Sequence, residues 1–113
     1  MPRSNLAGVQ VRDAAPLFAA LGDETRLKLI SRLTTGGPGS ITQLSEKSAV
    51  SRQAITKHLT VLSQVGLVHS TRRGRERVWE LRPRRLADAH QYLDGISRQW
   101  DQALEQLKRF VEE

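Results

Sequence analysis

The chain has 113 residues, with 18 lysines and arginines against 12 aspartates and glutamates and a formal net charge of +6, a size and sign that fit one small domain with a polyanionic partner. It contains no cysteine, which excludes disulfides, thiolate metal sites and cysteine nucleophiles. No apolar signal core follows Met1 and no run of 18 apolar residues occurs, so neither secretion nor a membrane span is expected, and the chain is placed in the cytoplasm.

Residues 1–12 lack clear periodicity and are expected to form a flexible N-terminal arm ahead of a folded domain over 13–113. A short helix follows from Asp13 to Leu21, its apolar positions at Ala14, Leu17, Phe18 and Leu21. Asp23 caps a second helix running to Leu33, with Leu27, Ile30 and Leu33 on one face and Gly36–Gly39 ending it. That GGPG loop is a plain connector rather than a phosphate cradle, because no Gly-Lys-Ser/Thr follows. Ser40 and Gln43 form the capping box of a third helix whose Ile41 and Leu44 point to the core. After the turn Ser48-Ala49-Val50, a fourth helix opens on Ser51 as N-cap and closes on Gly66 at C′. Two short amphipathic helices across a three-residue turn form a helix-turn-helix.

In the fourth helix Ile55, Leu59 and Leu62 share one narrow arc, while Gln53, Thr56, Lys57 and Thr60 gather on the other side. Those outward residue types read base edges or touch phosphate, and Ser51 and Arg52 stand at the helix start, where reading helices first meet DNA. His58, beside the buried stripe, is expected to be a packed, hydrogen-bonded histidine. Next, 67–73 and 76–82 read as strands around the turn Arg73-Gly74-Arg75, with Val68, Trp79 and Leu81 as apolar positions. Seven arginines and two glutamates lie between Thr71 and Arg85, a field that a partnerless surface would carry at a cost. Arg72, Arg73, Arg75 and Arg77 at this wing are expected to reach phosphates or the minor groove.

From Pro83 to about residue 112 a long helix carries Leu86, Leu93, Trp100 and Leu107 every seven residues, with Ala89, Ile96, Ala103 and Phe110 as the complementary set. Such a seam either folds back on the chain's own core or pairs with its copy in a homodimer. The second is the expectation, with Leu17, Leu86, Leu93, Ile96, Trp100 and Leu107 at the interface. Gly95 would mark a bend or a close helix approach. The fold class is therefore mainly α with a small β-hairpin, a winged helix-turn-helix dimerising through its terminal helices. Its expected partner is double-stranded DNA, bound at an inverted repeat.

Three segments, LGDETRLKLISRL, SITQLSEKSAVSRQAITKHLTVLSQVGLV and GRERVWEL, resemble the ArsR/SmtB family of bacterial regulators from about Leu17 to Leu81. The resemblance implies a dimeric winged-helix repressor that commonly controls its own operon and leaves DNA on binding an effector. Metal-sensing members carry Cys-x-Cys near the third helix, where this chain has Ser40 and Thr42. A second family site pairs Asp-x-His with His-x-x-Glu. Asp88-Ala-His90 resembles its first half, but Asp101 and Leu104 stand where the second would be. The chain thus resembles the cysteine-free members, with no metal site or cofactor expected and any effector unidentified. A metal- or ligand-responsive regulator and a winged-helix protein-interaction module are the alternatives. No Gly-x-Ser-x-Gly, His-Glu-x-x-His or Walker motif occurs, so no enzyme is expected.

Overall fold

In the computed structural model, which describes residues 5–6, 9–46 and 48–112, a short antiparallel pair, β1 (Asn5–Leu6) and β2 (Val9–Gln10), leads into α1 (Val11–Leu21). Of the expected arm, residues 1–4 and 7–8 lie outside the described residues. The helix begins two residues before Asp13, so Pro16 falls beyond its first turn and forgoes one hydrogen bond of the ladder. Asp23 caps α2 (Glu24–Gly36) by accepting from the Arg26 N–H at 3.0 Å. The helix runs three residues past Leu33 and buries Leu29, Ile30 and Leu33, whereas Leu27 is 51% exposed. The expected series 27, 30, 33 drifts about 60° per step, and the arc centred on the three buried residues leaves Leu27 about 110° away.

The glycine connector ends in a strand, β3 (Gly39–Ser40), that two residues of sequence could not announce. Ser40 then starts α3 (Ile41–Ser45) with the full capping box: its Oγ accepts from the Gln43 N–H at 3.2 Å, and Gln43 Oε1 accepts from the Ser40 N–H at 2.9 Å. Ser51 Oγ accepts from the Ala54 N–H at 3.1 Å and opens α4 (Arg52–Gln64). At its other end Gly66, at φ 79°, donates to Ser63 O, and Leu67 donates to Leu62 O at 2.9 Å. This double closure satisfies the last carbonyls and turns the chain into the sheet. There β4 (Val68–Arg73) pairs with β5 (Glu76–Leu81) from Val68↔Leu81 to Arg73↔Glu76, leaving the two-residue turn Gly74-Arg75. Gly74 takes φ 64°, the conformation that tight hairpins demand at this position. Strand order is β3-β5-β4.

Leu17, Ile55, Leu59, Leu62, Leu67 and Val68 are fully enclosed and tie α1, α4 and the sheet into one core with Leu29, Ile30, Leu33, Leu44 and Trp79. Helix α5 (Pro83–Glu112) runs unbroken through Gly95, which is buried. Its first half packs on this core through buried Ala89 and through a tilted contact of Tyr92 with Phe18 at 5.7 Å. Arg85 locks it to the end of α4, donating to Val65 O at 2.9 Å while pairing with Asp88 at 2.8 Å. Residues 97–112 are all exposed, a length of about 24 Å at 1.5 Å per residue. The radius of gyration, 18.4 Å against about 13 Å for a compact chain of this length, reflects that projecting helix.

Candidate nucleic-acid interface

Burial of Ile55, Leu59 and Leu62 fixes how α4 is turned. Gln53, Thr56, Lys57 and Thr60 are exposed, on an arc about 140° from the buried one. The face expected from the sequence is therefore the free face of the folded chain. The two threonines do not offer all of their hydroxyl chemistry, however. Thr56 Oγ1 donates to Arg52 O and Thr60 Oγ1 to Thr56 O, each at 2.9 Å, so their protons are spent on the preceding turn and what faces outward is a methyl and oxygen lone pairs. Ser51 Oγ, by contrast, accepts from the Ala54 N–H in its cap and keeps its own proton to donate. Arg52 is exposed at the first helical position.

Behind this face His58 is half-buried, its Nδ1 3.1 Å from Arg26 Nη1 and 3.8 Å from Asp23 Oδ2. A guanidinium only donates, so Nδ1 accepts, and the histidine is the hydrogen-bonded packing residue that the sequence pointed to. Arg26 also donates through Nε to Ala20 O at 2.6 Å, joining the α1–α2 corner to the back of α4. The Arg26 backbone N–H, foremost, holds the Asp23 carboxyl below its ordinary 3.8. Slight burial opposes this, and the charge of Arg26 reinforces it.

On the wing, Arg72, Arg73, Arg75 and Arg77 are all exposed. Arg73 stands opposite Glu76 and gains a neutralising neighbour, but Arg72 stands opposite Arg77. Like charges directly across a ladder destabilise a hairpin. Arg77 bends toward Ser70, donating to its Oγ at 2.7 Å, and an anion at the wing would relieve what repulsion remains.

The residues expected at a dimer interface divide into three groups. Leu17 is fully enclosed in the chain's own core and has no surface to give to a partner: it sits on the face of α1 that meets α4, so the expectation for it is corrected. Leu86 and Ile96 are half-buried, and Leu86 packs on the core. Leu93, Trp100 and Leu107 are 53%, 65% and 58% exposed. Folding back on the core thus accounts for the first half of the seam and leaves the second uncovered. Leu104 and Val111, also exposed, belong to the same stripe with Trp100 and Leu107, because positions i, i+4, i+7 and i+11 share a face of a 3.6-residue helix. Counting strictly by sevens hid them. Asp88, half of the family's second metal motif, is held by Arg85, and His90 is exposed. Among the described residues no three metal-ligating side chains cluster.

A family model described as a helix-turn-helix domain matches residues 21–71. The chain is 37% identical over 87 residues to the HTH-type transcriptional regulator Rv2034 of Mycobacterium tuberculosis, covering 77% of this chain and 78% of that protein. An ArsR-like transcriptional regulator from Rhodococcus sp. RHA1 superposes with a TM-score of 0.78 at 36% identity, covering 88% of this chain and 92% of that one. This chain belongs to the ArsR family of transcriptional regulators. Its winged helix-turn-helix fold is also that of the homodimeric DNA-binding domain of Mb0332 from Mycobacterium bovis, a possible ArsR-family regulator, with a TM-score of 0.59 at 20% identity over 63% of this chain and 65% of that one. In this ArsR-family regulator the family model spans α2 to β4 and stops before the arginine tip of the wing and the free end of α5. Among the described residues no helix is long and apolar enough to cross a membrane.

Proposed function

We propose that this ArsR-family protein is a cytoplasmic homodimeric repressor that binds double-stranded DNA sequence-specifically at an inverted-repeat operator, its own promoter included. The observation that carries the reading is the free polar face of α4, with Gln53, Thr56, Lys57 and Thr60 exposed together and an arginine wing following directly in the chain. Gln53 has the amide geometry to bond adenine in the major groove, and Lys57 the charge to bond guanine. Thr56 and Thr60, with their protons turned inward, present methyls to thymine and oxygens to base amino groups. Arg52 and the wing arginines Arg72, Arg73, Arg75 and Arg77 hold the sugar-phosphate backbone and set the register of the reading helix, while carrying little sequence information themselves.

The second half of α5 supports the dimer. Trp100, Leu104, Leu107, Phe110 and Val111 are each more than half exposed, an apolar stripe that water penalises and a second copy would cover. Two-fold pairing presents two reading helices to one face of the duplex, so the half-sites lie about one helical turn, or a multiple of it, apart. Repression then follows from occupancy of the promoter. Titrating DNA from the protein's own promoter at increasing salt tests the reading. Binding is expected to weaken about 10³- to 10⁵-fold between 50 and 200 mM salt if roughly 6 to 10 phosphates are neutralised. Salt-insensitive binding, or equal affinity for random duplex, would refute it.

A further inference from the structure

The start of α3, the start of α4 and the tip of the wing line an open cleft of about 210 Å³ whose walls are Ser40, Ile41, Thr42, Arg52, Arg75, Glu76 and Arg77. Three arginines from two separate elements thus line one small cleft. The space is open to solvent and takes several water molecules, so one phosphate group can enter it. Arg52 stands at the first position of a 13-residue helix, whose N-terminal partial charge adds to the positive potential. Arg77 spends one donor on Ser70 and keeps the rest of its fork. Thr42 is exposed at the wall and contributes a hydroxyl. Only Glu76 opposes an anion, and it faces Arg73 across the ladder.

We propose that this cleft is a single backbone-phosphate site, in which Arg52 of the reading helix and Arg75 and Arg77 of the wing grip the same phosphodiester of the strand passing between them. The inference rests on the DNA-binding reading above and adds what joins its two elements. A phosphate held from both sides sets the angle between wing and reading helix, so the wing transmits its position to α4 through the DNA itself. Glu76 lowers the affinity of the site for every duplex alike and keeps the protein from settling tightly on random sequence.

A double-mutant cycle tests the shared site: wild type, Arg52→Ala, Arg75→Ala and the double variant bind a mixed-sequence duplex across a salt series. Counted over both protomers of the dimer, two arginines on one phosphate make the double variant lose about 1.8 in the log–log salt slope, whereas separate phosphates cost about 3.6. The affinity loss of the double variant should fall short of the product of the single losses by roughly threefold or more. Glu76→Gln should tighten binding to operator and mixed duplex alike, roughly fivefold. Thermal melts establish that each variant folds, and Arg52→Gln repeats the cycle should the alanine melt early. Additive losses, or a Glu76→Gln variant that binds no tighter, overturn the shared site while leaving DNA binding intact. A wild-type protein without salt-dependent DNA binding removes the functional reading as well. Inorganic phosphate, matched to chloride in ionic strength, should not raise the melting temperature; a rise abolished by Arg52→Ala would make a free anion the occupant and overturn the assignment to DNA.

Discussion

Replacing Trp100 by alanine should dissolve the proposed homodimer and leave each chain folded. The indole is 65% exposed on a stretch of α5 whose residues 97–112 are all exposed, so its removal opens no cavity in the core. A tryptophan offers up to about 250 Å², which leaves ~160 Å² for a partner to cover. At about 25 cal/mol per Å² that is at most ~4 kcal/mol per protomer. Alanine retains part of the contact and the covering is incomplete, so a loss of about 2 kcal/mol per protomer is the reasonable expectation. A two-fold interface loses it twice, raising the dimer Kd by roughly 10³-fold. Sedimentation across a concentration series reads that shift, and a thermal melt at high dilution checks the fold. In a Trp79→Phe background, Trp100 is the remaining tryptophan, and its emission should move to the blue as wild-type-like chains associate. An unchanged dissociation constant in a folded Trp100→Ala protein would place the interface away from the end of α5.

Gly66→Ala should destabilise the chain by about 1–3 kcal/mol in urea unfolding, because its φ of 79° disfavours a side chain and an ideal Cβ would lie 3.2 Å from Arg85 Cγ. A loss of a few tenths would mean that the closure of α4 tolerates another geometry. Gln53→Ala should weaken operator binding by about 1–3 kcal/mol and leave random duplex unaffected; equal losses on both would end its base-reading role. Asp23 has a folded pKa below its ordinary 3.8, so the unfolded chain takes up the proton first. Its contribution is whole at neutral pH and is lost as pH falls through the depressed value. Asp23→Asn, which keeps a capping side chain, should therefore flatten the fall in melting temperature below about pH 4, and an acid limb identical to wild type would contradict the assignment.

Local signals carried most of the fold. The caps at Asp23, Ser40 and Ser51 and the closure at Gly66 are written in residues adjacent to the bonds they make, and each was legible. The buried arc of α4 was legible too, since three apolar residues within 60° leave one way to turn the helix. Leu27 misled because a three-residue spacing drifts around a helix, and only the packing of α2 on the core settles which neighbours are buried. β3 was invisible: two residues have no period, and their partner Trp79 lies far along the chain. Leu17 shows the same limit at the interface, where an apolar residue on a terminal helix reads alike whether its own core or a partner covers it. The cleft between Arg52 and the wing was likewise beyond sequence reach, because it exists only once the hairpin register brings Arg75 and Arg77 toward the start of α4.

The Arg72–Arg77 pairing and the uncovered end of α5 have one explanation in common under the proposed function: each is a cost in the isolated chain that a duplex or a second copy would remove. Electrostatic repulsion on the wing falls when phosphates arrive, and the apolar stripe leaves water when its copy docks.

The most direct measurement is methylation protection of guanine N7 by the bound protein on its promoter DNA, since that atom lies in the major groove. Two protected patches are expected, their centres about 10 base pairs, or a multiple of one helical turn, apart, and both lost in a Gln53→Ala, Lys57→Ala double variant. A protein that saturates the DNA while every guanine N7 stays reactive would contradict the placement of α4 in the groove.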